Sequence, residues 1–149
     1  MSKPVTLRLP EETARRLEAV ARRAGRSVSE TGARSIEEWL RQNEFSEIEF
    51  RSYNGIRHAC VKGAMQIWQL VMVARGWDLD VEKTAKYFPI PAYRIESAFN
   101  YYRAYPEEID AALAENDSWT FERLKQVLPQ LERITVDITP DDDDDLVFD

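Results

Sequence analysis

The stretch Pro4-Val5-Thr6-Leu7-Arg8-Leu9-Pro10-Glu11-Glu12 determines the fold expected for the first part of this 149-residue chain. Three apolar residues alternate with Thr6 and Arg8, which is the pattern of a strand with one apolar face. Pro10 ends the strand, because it has no N–H to donate to a ladder, and it suits the first turn of a helix. The sequence therefore predicts a short strand at Val5–Leu9 that leads directly into a helix.

Two amphipathic helices follow this strand. Apolar residues recur at helical spacing from Ala14 to Ala24, and Gly25 suits the left-handed position that ends a helix. Ser27 and Glu30 have the spacing of a capping box, which predicts a second helix from about Val28 to Arg41. The residues expected on its buried face are Thr31, Ile36, Trp39 and Leu40.

One five-residue strand and two helices are too small to bury a core alone, so the sequence predicts a homodimer. Two copies of the strand would pair as an antiparallel ribbon, with Thr6 and Arg8 of both chains on its open face. Such a ribbon fits the major groove of DNA, where arginine and short hydroxyl residues contact base edges. The amides at the start of the second helix would bind a phosphate. The candidate DNA-binding residues are Lys3, Thr6, Arg8, Ser27, Val28 and Ser29.

This segment resembles the ribbon-helix-helix (MetJ/Arc-type) family of bacterial repressors and antitoxins. The resemblance rests on residues 4–12 and on Ala24-Gly25-Arg26-Ser27-Val28-Ser29-Glu30. It implies that operator DNA is a partner, and it leaves open whether dimers assemble further. The outward strand positions of the family fall on Pro4, Thr6 and Arg8, and Pro4 departs from the polar residue common at the first of them.

The middle of the chain predicts a hairpin followed by helices. Asn54-Gly55 is a strong turn signal between the predicted strands Ile48–Tyr53 and Ile56–Val61. The helices predicted after it are Met65–Ala74, Val81–Phe88, Pro91–Ala104 and Pro106 to about Glu115. The second and third of these are joined by a tight turn, as in a helix-turn-helix. Ile95, Ala98, Phe99 and Tyr102 are the residues expected inward.

The region from Gly55 to Leu113 is similar to a small domain of unknown function common in bacterial antitoxins. The matching residues are Gly55-Ile56-Arg57, Ile67-Trp68, Gly76, Thr84-Ala85-Lys86-Tyr87-Phe88, Ala98-Phe99-Asn100-Tyr101-Tyr102 and Pro106-Glu107-Glu108-Ile109-Asp110. Such proteins tend to be encoded beside PIN-type ribonuclease toxins. The resemblance implies a type II (VapB-like) antitoxin that represses its own operon and neutralises a toxin. The alternative is a ribbon-helix-helix repressor whose second domain oligomerises or senses a ligand.

Contact between the helix-turn-helix and DNA stays open at this point. The third of its helices offers Tyr93, Arg94, Asn100 and Arg103 as outward residues, but the segment is nearly neutral. Its aromatic residues are more typical of a core than of a stacking platform. They are Tyr87, Phe88, Tyr93, Phe99, Tyr101, Tyr102 and Tyr105.

The charge of the chain is strongly asymmetric. Residues 1–43 carry nine Lys/Arg and six Asp/Glu, whereas residues 106–149 carry three Lys/Arg and fourteen Asp/Glu. A polyanion is therefore attracted to the front and repelled by the back. The five aspartates 141–145 indicate either a solubilising tail or a segment that binds a basic toxin. In the second case the toxin-binding residues are Asp141, Asp142, Asp143, Asp144, Asp145, Leu146, Val147 and Phe148.

The fold expected is mainly α: a ribbon-helix-helix module at 1–43, a hairpin and trihelical domain at 44–117, a C-terminal helix and strand at 118–139, and an acidic, partly disordered tail at 140–149. Ser118 is the expected cap of that last helix, and Ile134, Val136 and Ile138 alternate like a strand.

Catalysis and cofactors are not expected. His58 and Cys60 are two ligands at most, fewer than a zinc site needs, and Asp80 in the cluster Asp78, Asp80 and Glu82 suits a helix cap. The chain has no apolar run near eighteen residues and one cysteine, so we expect a cytoplasmic protein with no membrane contact.

Overall fold

The computed structural model of this chain describes residues 3–135. Within them the fold is mainly helical with one two-stranded antiparallel hairpin, as predicted. The elements are α1 (Glu11–Arg23), α2 (Val28–Glu44), β1 (Ile48–Tyr53), β2 (Ile56–Val61), α3 (Ile67–Ala74), α4 (Val81–Tyr87), α5 (Ala92–Ala104), α6 (Pro106–Asp117) and α7 (Phe121–Val127), with a 3-10 turn at Arg75–Trp77. Residues 3–113 form one compact unit, and residues 114–135 belong to a second.

Local signals mark the end of α1 and the start of α2. Gly25 adopts a left-handed φ of 62° after α1. The Ser27 hydroxyl accepts a hydrogen bond from the Glu30 amide at 3.1 Å, and the Ser27 amide donates to the Glu30 carboxylate at 3.2 Å. The predicted capping box is thereby confirmed. Helix α2 continues to Glu44, three residues beyond the prediction.

The hairpin has the predicted bounds. Ile48 faces Val61 and Tyr53 faces Ile56 across the two strands. Both turn residues lie in the left-handed region, Asn54 at a φ of 51° and Gly55 at 79°. This conformation matches the twist of the strands, which is why Asn-Gly favours a two-residue turn.

The hairpin and the central helices share one core in the first unit. Its buried residues are Ile48, Ala59, Val61, Ile67, Leu70, Val71, Ala74, Ile95, Ala98, Phe99, Tyr101, Ile109 and Leu113. Ile95, Ala98 and Phe99 are buried as predicted, but Tyr101 rather than Tyr102 is the fully buried tyrosine of α5. Asp80 caps α4 as predicted, accepting from the Lys83 amide at 2.8 Å. Helix α4 stops at Tyr87, because Phe88 precedes a proline and is extended.

The described part of the second unit corrects the predicted cap of the last helix and includes only Ile134 of the predicted strand residues Ile134, Val136 and Ile138. The Thr120 hydroxyl, not that of Ser118, caps α7 and accepts from the Arg123 amide at 3.2 Å. No strand forms at Ile134, since a lone strand needs a ladder partner and residues 131–135 have none in the described chain. Val136 and Ile138 lie outside the described residues.

Candidate nucleic-acid interface

The segment ahead of α1 contains the first candidate DNA-contacting residues. Residues 3–10 form neither helix nor strand in the single chain, so the strand predicted at Val5–Leu9 is absent there. A strand needs a neighbour to satisfy its amides and carbonyls, and no other part of the described chain pairs with this one. Val5, Leu7 and Leu9 are 73%, 58% and 44% exposed.

The apolar faces of α1 and α2, which follow this segment, are also only partly buried. Helix α1 buries Ala21 completely, and α2 buries Thr31. The other residues predicted on the buried face of α2 are exposed in the single chain: Ile36, Trp39 and Leu40 at 43%, 61% and 50%. That prediction is wrong for one chain alone, because α1 is too short and too polar to cover more than one face of α2.

Together these positions define the front apolar surface, a set of eight large side chains. Its members are Val5, Leu7, Leu9, Val20, Val28, Ile36, Trp39 and Leu40, each at least 43% exposed. All eight fall within the first forty residues, whereas the middle of the same unit has a fully buried core. Apolar side chains concentrated in this way are typical of an interface rather than of a free surface.

The start of α2 offers two backbone donors. In the described chain no protein acceptor meets the amides of Val28 and Ser29, since the capping box uses only those of Ser27 and Glu30. The carboxylate of Glu30 lies beside them, and hydrogen bonds from Ser27 hold its pKa below the usual value, so it stays charged. A phosphate at this helix start would therefore meet one negative charge, which Arg26 partly offsets.

Several exposed cations in residues 3–26 form no ion pair with a described residue. Lys3, Thr6 and Arg8 are exposed. Arg8 forms no ion pair with any described residue. The same is true of Arg16, Arg22 and Arg23 in α1 and of Arg26 in the loop that follows it. These four arginines were not among the DNA-contacting residues predicted from the sequence. Their charge is evident from the sequence, but only the structure shows that they form no ion pairs.

A partly buried arginine joins α2 to the helices behind it. Arg41 Nε donates to Glu37 at 2.8 Å, and its Nη1 donates to Glu108 at 2.6 Å and to the Tyr101 hydroxyl at 2.9 Å. Its guanidinium also lies 3.8 Å from the ring centre of Tyr105. Burial alone would lower the pKa of Arg41, but the bonds to Glu37 and Tyr101 outweigh it and raise the pKa. Burial and the Glu108 charge raise the pKa of Tyr101, so both groups keep their protons.

A second contact fixes α2 to the hairpin. Arg57 on β2 donates through Nε and Nη2 to the Glu38 carboxylate, with the shortest distance 2.6 Å. A cavity of about 470 Å³ adjoins this face of α2, and three arginines and three glutamates line it. Because the lining has no excess of either sign, it favours neither an anion nor a cation.

In α5, the second helix of the predicted helix-turn-helix, internal contacts engage two of the residues expected to point outward. Arg94 lies 3.0 Å from the Glu47 carboxylate, and Arg103 donates to Asn100 at 2.7 Å. Tyr93 is 57% exposed and Tyr87 is 60% exposed, whereas Phe99 and Tyr101 belong to the core. The aromatic set is therefore divided between core and surface.

The remaining candidate residues form no metal-binding cluster in residues 3–135. Cys60 is fully buried, and His58 packs edge-on against Tyr53 at 5.9 Å. No cluster of three or more metal-binding side chains occurs in that range. None of its helices combines the length and apolar character needed to cross a bilayer.

The toxin-binding residues predicted in the acidic tail, Asp141–Phe148, lie outside the described residues. No family model matches the chain, and neither the curated proteins nor the solved structures contain a match.

Proposed function

We propose that this protein is a dimeric, DNA-binding antitoxin that represses its own operon and neutralises a toxin, a PIN-type ribonuclease. The observation that carries the DNA-binding part is the front apolar surface. Several of its eight residues are at least half exposed. All eight occupy positions that a paired ribbon and its helices would cover.

The energetics favour a second copy as the cover. Full burial of a large apolar side chain contributes about 1.5–3 kcal/mol, and these side chains are roughly half exposed, so each contributes about 1 kcal/mol on association. Eight residues from each of two chains then give about 16 kcal/mol, which exceeds most values of the association cost, about 4–15 kcal/mol. The pairing also satisfies the backbone groups of Val5–Leu9.

The DNA contact follows from what a paired ribbon would expose. Thr6 and Arg8 of both chains would project from the face opposite Leu7, where arginine can donate two hydrogen bonds to guanine. The unpaired arginines of α1 and the free amides of Val28 and Ser29 supply phosphate contacts on either side.

Support for the toxin-binding part comes from sequence alone. It consists of the resemblance over Gly55–Leu113 and of the net charge of −11 in residues 106–149, given by three Lys/Arg and fourteen Asp/Glu. A segment of that charge complements a basic protein surface such as an RNA-binding groove.

The DNA-binding part is tested with DNA from upstream of the reading frame of this protein. We expect the intact protein to sediment as a dimer and to bind this duplex more tightly than an unrelated one. Arg8→Ala should remain dimeric and lose the preference, whereas the matched control Arg123→Ala, in the second unit, should keep it. Equal preference in the intact protein and Arg8→Ala would show that the ribbon does not read the operator.

The toxin-binding part is tested by co-expression with the product of the adjacent reading frame. Co-purification that is lost when residues 140–149 are deleted would support the acidic tail as the inhibitor. A complex that survives the deletion unchanged would remove the tail from the proposal. If the protein binds its operator specifically but forms no complex with the product of the adjacent reading frame, only the repressor part of the proposal remains.

A further inference from the structure

The two outer edges of the hairpin differ in their backbone hydrogen bonds. On the β2 edge, the Val61 amide donates to the Met65 carbonyl at 2.9 Å. On the β1 edge, the amides of Phe50 and Ser52 donate to no acceptor in the part of the chain that the structure describes. We call the outer side of the backbone at residues 48–52 the open edge.

The register of the hairpin sets the direction of these amides. The Lys62 amide donates to the Glu47 carbonyl at 2.9 Å, and bonds of an antiparallel ladder recur at every second pair of residues. Between these pairs, the N–H and C=O groups turn away from β2. The residues of β1 with outward backbone groups are therefore Ile48, Phe50 and Ser52. An unblocked strand edge of this kind is a template for another strand.

Two opposite charges flank Phe50 on β1. Glu49 and Arg51 pair with each other, and main-chain groups hold both of them. The Gly63 amide donates to Glu49 at 3.1 Å, and Arg51 donates to the Ala64 carbonyl at 3.1 Å. The two side chains are 30% and 37% exposed. The Oε2 atom of Glu49 has no partner among the described residues, and a guanidinium has several N–H groups, so both side chains are able to form another ion pair.

A second copy of β1 fits the open edge in one register. Two identical strands pair antiparallel about a two-fold axis, and only residues with outward backbone groups exchange hydrogen bonds. With Phe50 opposite Phe50, Glu49 of each copy faces Arg51 of the other. These positions lie between the backbone bonds, where opposite Cα atoms are about 4.5 Å apart and side chains meet. A shift of two residues places Glu49 opposite Glu49, or Arg51 opposite Arg51, and like charges at such positions repel.

We propose that the open edge pairs with the open edge of a second copy of this chain, so that two hairpins form one antiparallel sheet. The Phe50 amide of each copy would donate to the Phe50 carbonyl of the other, and each Ser52 amide to the opposite Ile48 carbonyl. The Glu49–Arg51 pairs select the register. This contact uses none of the eight residues of the front apolar surface, so it joins dimers into larger assemblies. It does not rest on the binding of DNA or of a toxin.

The test follows the mass of the assemblies by sedimentation velocity, at protein concentrations between about 1 µM and 1 mM. The intact protein should be a dimer at the lowest concentration and should form larger species as the concentration rises. Arg51→Glu and Glu49→Arg each place like charges opposite each other at both ion-pair positions. Each variant should therefore weaken the association of dimers by about tenfold.

An equimolar mixture of Arg51→Glu and Glu49→Arg should recover the larger species, because the acidic edge of one variant then faces the basic edge of the other. Mixing does not repair a folding defect, so this recovery distinguishes a contact between copies from damage within one chain. Ser52→Pro removes an outward amide and should also weaken the association. Ser52→Ala is its matched control, since it loses the same hydroxyl and keeps the amide. Thermal unfolding by circular dichroism checks that each variant is folded.

The outcomes separate this proposal from the dimer formed by the front apolar surface. Intact protein that never exceeds a dimer, or a mixture that associates no better than its two components, would overturn the open edge. Stronger association of Arg51→Glu or Glu49→Arg would also overturn it, because the charges would then protect the edge from pairing. A change from monomer to dimer that Arg51→Glu weakens and Trp39→Glu does not affect would support the open edge and overturn the front dimer.

Discussion

Replacement of Arg41 by methionine tests whether α2 is fixed to the helices behind it. The substitution removes three hydrogen bonds, to Glu37, Glu108 and Tyr101, and the contact with the Tyr105 ring. A hydrogen bond to a charged group contributes about 1.5–3 kcal/mol, and the ring contact contributes about 0.5–1 kcal/mol. The two carboxylates are 52% and 39% exposed, so water replaces part of this loss.

The Tyr101 hydroxyl also keeps its bond of 3.0 Å to Glu108 in the variant. We therefore expect the free energy of unfolding to fall by about 2–3 kcal/mol, well below the sum of the lost bonds. Urea denaturation followed by circular dichroism measures the change, at one fixed protomer concentration because a dimer is stabilised by mass action.

Arg15→Met is the matched control for this prediction. Arg15 also pairs with a glutamate four residues before it, at 2.9 Å, but both side chains are exposed, at 65% and 85%. Its loss should change the free energy of unfolding by no more than about 0.5 kcal/mol. If Arg41→Met destabilises the protein no more than Arg15→Met does, the network around Arg41 does not hold α2 in place.

Elements with local signals were predictable from the sequence. The hairpin bounds follow from Asn54-Gly55 between two β-rich runs, and the start of α2 follows from the spacing of Ser27 and Glu30, because the atoms that form these turns lie within four residues of each other. The capping error at α7 has a local cause as well. The amide of Ser118 still bonds to the Ala114 carbonyl at 3.0 Å, so Ser118 belongs to the preceding turn and Thr120 is the residue free to act as the cap.

The candidate site depends on contacts that no local pattern contains. Arg41 reaches Tyr101 and Glu108 across 60 and 67 residues, and the arginine alone does not indicate which carboxylate it meets. The strand at Val5–Leu9 was predicted from alternation, but its ladder needs a second strand, and one chain provides none among its described residues. A pattern shows which face is apolar, whereas the cover of that face is a property of the assembly.

Two further predictions concern the hairpin. Gly55→Ala should lower the free energy of unfolding by about 1–2 kcal/mol, because a φ of 79° is strained for alanine, whereas Gly76→Ala, with open space and no left-handed φ, should not. The second concerns His58, whose pKa burial lowers below the ordinary value of 6.5, with the Glu108 charge opposing the shift. The unfolded chain therefore takes up a proton before the folded protein does, so stability falls as the pH drops through about 6.5 toward the lowered pKa. His58 is the only histidine, and carboxylates in general titrate at lower pH. In His58→Gln the free energy of unfolding, measured by urea denaturation, should therefore depend less on pH between about 5.5 and 7.5. An equal decline with falling pH in both proteins would show that His58 is not the group that titrates, and that its burial against Tyr53 has no electrostatic cost.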